Sequence, residues 1–172
     1  MSAGSPVTVG IDIGTSSVKA VAADDDGAVV ARARVSHAFR VPTPGRFEHD
    51  AQVAWREGPR SALAASEAEG GRDRVRGVSV AAMVPSLTAV DGAGNALQPG
   101  LLYGDERGRA APGATGSPAE TGELRNFARW LVAQSPDAAG LWPATAVANH
   151  ELCGAAVLDT STAATAVASA AP

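Results

Sequence analysis

The segment VGIDIGTSSVKAVAADDDGAVV, residues 9–30, constrains the fold more than any other part of the chain. Val7, Val9, Ile11 and Ile13 recur at every second position, the period that sends side chains to one face of a strand, so Thr8, Gly10 and Asp12 share the other face. After Gly14-Thr15-Ser16 the alternation resumes with Val18, Ala20 and Ala22, and Asp24-Asp25-Asp26-Gly27 supplies residues suited to a second tight turn. A third strand is predicted over Ala28 to Val35. The reading is an antiparallel three-strand meander with a carboxylate near the end of its first strand and a glycine and three hydroxyls at its first turn.

A turn of that kind can wrap phosphate oxygens, because glycine permits close approach while backbone amides and Thr or Ser hydroxyls donate hydrogen bonds. Asp12 is then placed to hold a magnesium ion bridging those phosphates, since magnesium prefers carboxylate and water oxygens. The chain has no GxxxxGK[ST] loop, and no GxGxxG that follows a strand and opens a helix. On this stretch alone a plain hairpin, in which Asp12 pairs with a nearby cation, stays open. So does a solvated strand end for Lys19.

Beyond the meander, FRVPTPGRFEHD is a Pro/Gly-rich connection closing on Asp50, a candidate helix N-cap, and Ala51 to Ala68 is rich in helix formers but interrupted at Gly58-Pro59. A strand is predicted through Val75, Val78, Val80 and Ala82. A hairpin turning at Asp91-Gly92-Ala93-Gly94 and returning through Leu101 and Leu102 follows it. Residues 108–122 read as loop or disorder, and Leu124, Phe127, Trp130 and Leu131 fall near one face of a short helix. Residues 1–6 are expected to be disordered, residues 7–164 to form the domain, and residues 165–172 to be a low-complexity tail. There is no internal repeat.

Of the 172 residues 14 are Lys or Arg and 18 are Asp or Glu, a net charge of -4. The basic residues are scattered, so there is no field for nucleic acid or an anionic membrane. No stretch approaches the ~20 apolar residues of a membrane span, and MSAGSPVTVG has no basic region followed by an apolar run, so a cytoplasmic location is the expectation. Cys153 has no cysteine to pair with. His37, His49 and His150 follow no metal-ligand spacing and are expected in loops or at the surface.

The segment VGIDIGTSSVKAVAADDDGAVVARA resembles the first phosphate motif of the actin-like ATPase and sugar kinase superfamily, and specifically that of the FGGY carbohydrate kinases. The resemblance continues in order through PTPGRFEHDAQVAW, VRGVSVAAMVPSLTAVDGAGNALQPGLLYGDERG and NHELCGAAVLDTSTAATA. It implies a ribonuclease H-like α/β domain, with a mixed sheet that begins with the meander and has helices packed on it. It implies ATP and Mg²⁺ as cofactors and a sugar or polyol as the substrate phosphorylated. By the same resemblance Asp12 lies near the metal, and Gly14, Thr15, Ser16, Ser17 and Lys19 lie near the phosphates. Met83, Val84, Pro85, Ser86 and Asp105 fall on the substrate side. Both the 83–86 loop and Asp105 are expected to follow strands parallel to the first, which puts them at the same sheet edge as the Gly14 turn.

Two departures stand out. The family's substrate loop carries polar side chains where Met83, Val84 and Pro85 offer none, and polyol recognition depends on buried polar partners. In the family's order the general base and the adenine-binding domain lie C-terminal to the Ser/Thr-Ala segment, and the segment leading into that match is short, ANHELCG. The base is therefore expected beyond Pro172, and the resemblance assigns no catalytic residue within residues 1–172. The chain alone is expected to be inactive, needing a C-terminal domain or another copy. A truncated non-catalytic remnant, or a binding module docking on a partner that supplies the second domain, remains the alternative.

Overall fold

The computed structural model describes residues 5–109 and 123–164. The expected disorder of residues 1–4, most of the 108–122 loop and the tail from residue 165 to Pro172 lie outside the described residues. The strands are β1 (Val7–Ile13), β2 (Ser17–Asp24), β3 (Val29–Ser36), β4 (Phe39–Arg40), β5 (Glu48–His49), β6 (Val75–Ala82), β7 (Ser86–Val90), β8 (Gly100–Leu102) and β9 (Gly140–Trp142). The α-helices are α1 (Gly58–Gly70), α2 (Glu123–Gln134) and α3 (Ala144–Cys153).

The meander forms as its alternation dictates: β1 and β2 pair antiparallel from Val7↔Asp24 to Ile13↔Val18, and β3 continues on the far side of β2. Val7, Val9, Ile11 and Ile13 are buried, while Thr8, Gly10 and Asp12 face outward. Gly27, with φ of 78°, closes the second turn, where the Asp24 carboxylate accepts the Ala28 amide. On the other side β6 pairs parallel with β1, ending at Ile13↔Ala82, which gives a mixed sheet in the order β3-β2-β1-β6.

Helix α1 lies across β2 and β3. The expected break at Gly58-Pro59 is instead a change of helix type: residues Gln52–Glu57 form a wide π-helical stretch that runs straight into α1. Pro59 gives no N–H to this continuous ladder, and the change from π to α spacing falls next to it, where the Gly58 amide still reaches the Val53 carbonyl. Asp50 does cap the stretch, its carboxylate accepting the Val53 amide at 3.2 Å. The buried residues of α1 are small, Ala62, Ser66 and Gly70 among them, and they meet Ala22 and Ala31 of the sheet. Close backbone approach replaces the bulky side chains this alanine-rich chain lacks.

A second sheet, in the order β4-β5-β8-β7-β9 with every pairing antiparallel, was not foreseen. The strand through Leu101 and Leu102, expected to run parallel to β1, is β8 of this second sheet. It lies antiparallel to both β5 and β7, because the turn from Asp91 to Gly94 folds it straight back. Helix α2 covers the sheet with Phe127 and Leu131, packed on Leu87, Ala89 and Leu101. Helix α3 is longer than the ANHELCG segment implied. It starts at Ala144 after Pro143, and its first buried turn, Ala144 to Ala148, is too uniformly small to show a helical period.

Gly100 is where β8 crosses Trp55, a side chain with no exposed surface, and a Cβ at residue 100 would collide with the indole ring. Gly100→Ala is therefore expected to destabilise the protein by roughly 1–3 kcal/mol through overpacking. Urea unfolding followed by tryptophan fluorescence measures it, and an unchanged midpoint would contradict the packing described.

Candidate phosphate and sugar site

The first turn of the meander is tight. The Gly14 amide donates to the Ser17 carbonyl at 3.0 Å, and a Cβ at Gly14 would lie 3.3 Å from that same oxygen. The carbonyls of the next two residues are tied outward: Thr15 O accepts from His49 Nε2 at 2.8 Å, and Ser16 O accepts from the His37 amide at 3.1 Å. The amides of Thr15 and Ser16, by contrast, make no hydrogen bond among the described residues. A loop with carbonyls anchored and amides open presents donors to an incoming anion.

Asp12 and Lys19 stand directly opposite each other on β1 and β2, and Lys19 stands opposite Arg34 on β3. All three are exposed on the open face of the sheet, and among the described residues no cation is within ion-pair distance of Asp12. Lys19 is the cross-strand neighbour of Asp12, but the two make no salt bridge. Arg34 went unnoticed in the sequence, since only the register of β2 and β3 brings it into this row.

The expectation for the histidines holds for His37, which lies in the loop between β3 and β4, and fails for His49. His49 has no exposed surface, and His37 packs edge-on against it at a ring distance of 4.5 Å. Trp55 Nε1 donates to His49 Nδ1 at 3.0 Å, so Nδ1 carries no proton and Nε2 donates to Thr15. The ring is held neutral, and burial lowers its pKa from 6.5 to about 4, against the opposing bond to the Thr15 carbonyl. His150 is half-buried against Trp142 at 5.0 Å. The only sequence signal for His49 was its position between the Pro/Gly-rich connection and the Asp50 cap.

Residues 83–86 leave the end of β6, whose parallel pairing with β1 sets Met83 beside Gly14 at one sheet edge, as the parallel-strand argument requires. They line a cavity of about 110 Å³ together with residues from the start of α3 and the segment after it. The Val84–Pro85 peptide is cis.

Asp105 is placed differently. Its strand belongs to the second sheet, and its carboxylate, with no exposed surface, accepts from the Phe47 amide at 2.6 Å, the Arg107 amide and Nε at 2.8 Å, and Arg107 Nη2 at 2.6 Å. Burial pushes this carboxyl up, but Arg107 and the two amides outweigh it and hold the group below the usual range. Arg107 in turn pairs with Glu48 at 2.7 Å and lies 4.7 Å over the Trp130 ring. Asp105 therefore braces the strand that carries His49 and has no surface to offer a sugar. The general base, expected beyond Pro172, lies outside the described residues.

The model of the N-terminal domain of the FGGY family of carbohydrate kinases matches residues 7–137. The chain belongs to the FGGY family of carbohydrate kinases. It is 45% identical over 51 residues to an apulose kinase of Pectobacterium atrosepticum and 30% identical over 99 residues to a xylulose kinase of Staphylococcus xylosus. These matches span 10% and 20% of those proteins' lengths and 30% and 58% of this chain. Among solved structures, xylulose kinase from Rhodospirillum rubrum superposes with a TM-score of 0.72 at 22% identity, covering 96% of this chain and 42% of that one. Ligand-bound xylulose kinase from Lactobacillus acidophilus gives 0.69 at 17%, covering 93% and 36%. The fold is that of the actin-like ATPases, the ribonuclease H-like α/β class the sequence implied. Among the described residues no helix is long and apolar enough to cross a membrane.

The buried neutral His49 makes stability acid-sensitive. An unfolded histidine takes up its proton near pH 6.5, whereas the folded one resists until about pH 4, so stability present above pH 6.5 is lost progressively as pH falls to about 4. His37, also lowered by burial, acts in the same direction, while Glu123, raised by burial, opposes it at lower pH. Denaturant unfolding between pH 7.5 and 4 is expected to show this decline in the wild type and a shallower one in His49→Gln. Parallel curves would remove His49 as the cause.

Proposed function

We propose that this chain is the phosphate- and sugar-side portion of an ATP-dependent kinase acting on a sugar or polyol hydroxyl. The observation that carries the reading is the Gly14 turn, whose open Thr15 and Ser16 amides lie just beyond the row formed by Asp12, Lys19 and Arg34 across β1, β2 and β3. Family membership narrows the anion to a nucleotide phosphate. The xylulose and apulose kinases it resembles narrow the acceptor to a small ketose or polyol.

The residues fit magnesium as far as they go. Asp12 Oδ2 lies 3.8 Å from where a Cβ at Gly14 would stand, so its carboxylate is beside the turn and would offer one oxygen to an ion that keeps several water and phosphate ligands. Mg²⁺–ATP supplies the phosphoryl group. The protein's part is positioning: Gly14 admits the phosphate close to the backbone, Thr15 and Ser16 donate to its oxygens, Ser17, only 3% exposed, stands behind them, and Lys19 offsets its charge. Met83 to Ser86 form the sugar side of the same edge, while Asp105 acts through Arg107 and Glu48 on the strand that carries His49. In the family's order of segments the general base and adenine site follow the Ser/Thr-Ala segment, and this reading assigns them beyond Pro172 to a second domain, in the same protein or in a partner.

The reading is tested by assaying sugar-dependent ADP release from the 172-residue protein alone and with the C-terminal portion of an FGGY kinase added in trans. No steady turnover is expected from the first and measurable turnover from the second, with Asp12→Ala lowering the latter by roughly 10²-fold or more, as loss of a preorganised electrostatic contact does. Steady turnover by the chain alone would contradict the half-site reading. Full activity of Asp12→Ala would remove the metal assignment.

A further inference from the structure

The cavity behind the 83–86 loop is built for something less polar than a fully hydroxylated sugar. Its walls include the side chains of Met83, Val84, Pro85, Leu87 and Leu141, with Leu158 from the segment after α3. Its volume of about 110 Å³ opens to solvent beside Val84 and Leu158, which are 46% and 39% exposed, and most of the surface it offers a ligand is apolar.

Three hydroxyls interrupt this lining: that of Thr162 donates to the Asp159 carboxylate at 2.6 Å, and the other two are less well satisfied. Ser86, 3% exposed, accepts the Ala144 amide at 3.2 Å through Oγ, and its own proton has no acceptor among the described residues. Thr145, in the first turn of α3, is 4% exposed, and its Oγ1 is buried without any hydrogen-bond partner. An orphaned buried hydroxyl costs its full desolvation penalty, so a partner arriving from the cavity recovers what the folded chain leaves unsatisfied. The two residues are brought together by the Ser86–Ala144 bond, which joins the start of β7 to the start of α3.

We propose that this cavity binds the alkyl end of a small hydroxylated ligand, with Thr145 and Ser86 taking the first oxygen behind that end and the apolar walls excluding a terminal hydroxyl. Resting on the reading of the chain as a sugar-side domain, this makes the preferred acceptor a terminally deoxygenated polyol or ketose. A hydroxyl on that end would be set mainly against Met, Val, Pro and Leu side chains and lose part of its water without replacement. A methyl group there gains burial.

The test uses the whole 172-residue protein and two probes differing by one oxygen, 1,2-butanediol and 1,2,4-butanetriol. Methyl NMR spectra are recorded during each titration. The diol is expected to shift the Met83, Leu87 and Leu141 methyls saturably and to bind at least about fivefold more tightly than the triol. Thr145→Val, nearly isosteric, is expected to weaken diol binding by about fivefold, the size of one hydrogen bond, without lowering the melting temperature of the free protein, since the hydroxyl it removes has no partner there. Equal or tighter binding of the triol, diol binding unaffected by Thr145→Val, or no saturable shift with the diol would each overturn the proposal. The kinase reading fails separately: saturable diol binding without phosphoryl transfer on adding the C-terminal portion would remove that reading and leave the cavity, and transfer without diol selectivity would do the reverse.

Discussion

The hydrogen-bonded line from Trp55 through His49 to the Thr15 carbonyl is the constraint around which the rest of the structure is arranged. It starts in the π-helical stretch, crosses the shortest of strands and ends in the phosphate turn of the other sheet. Because the imidazole receives at one nitrogen and donates at the other, a single neutral tautomer satisfies both neighbours, and the two sheets are joined by a directional contact rather than by apolar packing alone. Gly100 and the bare backbone of β8 leave the space that the indole occupies.

A second buried group holds the same segment from the opposite side. Asp105, Arg107 and Glu48 form a charged cluster in which each partner is at most 12% exposed, and the Phe47 amide is drawn into it. A buried ion pair is weak evidence for net stability but strongly penalises any arrangement that breaks it, so its effect here is to specify one register for the two-residue strand β5. His49 is the second residue of that strand. The Gly14 turn thus inherits its geometry from charges far outside it in sequence.

What could be read from the sequence follows from length and period. The meander, the parallel return of β6 and the face of α2 were legible because each runs long enough for a period of 2 or 3.6 to show. The second sheet was not, since β4, β5, β8 and β9 are only two or three residues each and carry no pattern. Asp105 was misplaced for that reason: a hairpin return and a parallel crossover look alike when the strand is Gly-Leu-Leu. Of the candidate site, the turn and its flanking carboxylate were visible as motif and alternation. The burial of His49 and the unpaired hydroxyl of Thr145 depend on contacts across more than 30 and 50 residues of chain, and residue type alone does not carry such information.

The close seating of α1 on the first sheet has a consequence for how this protein can vary. Where Ala62, Ser66 and Gly70 meet Ala22 and Ala31, there is almost no side chain left to delete, so truncation opens hardly any cavity. Enlargement is another matter, because a Cβ at Gly70 already reaches 3.4 Å from that of Ala31, and any further methyl group pushes helix from sheet along its whole length. Permitted drift at this interface is one-sided. The seam tolerates loss but resists growth, the reverse of a core built from leucine and phenylalanine.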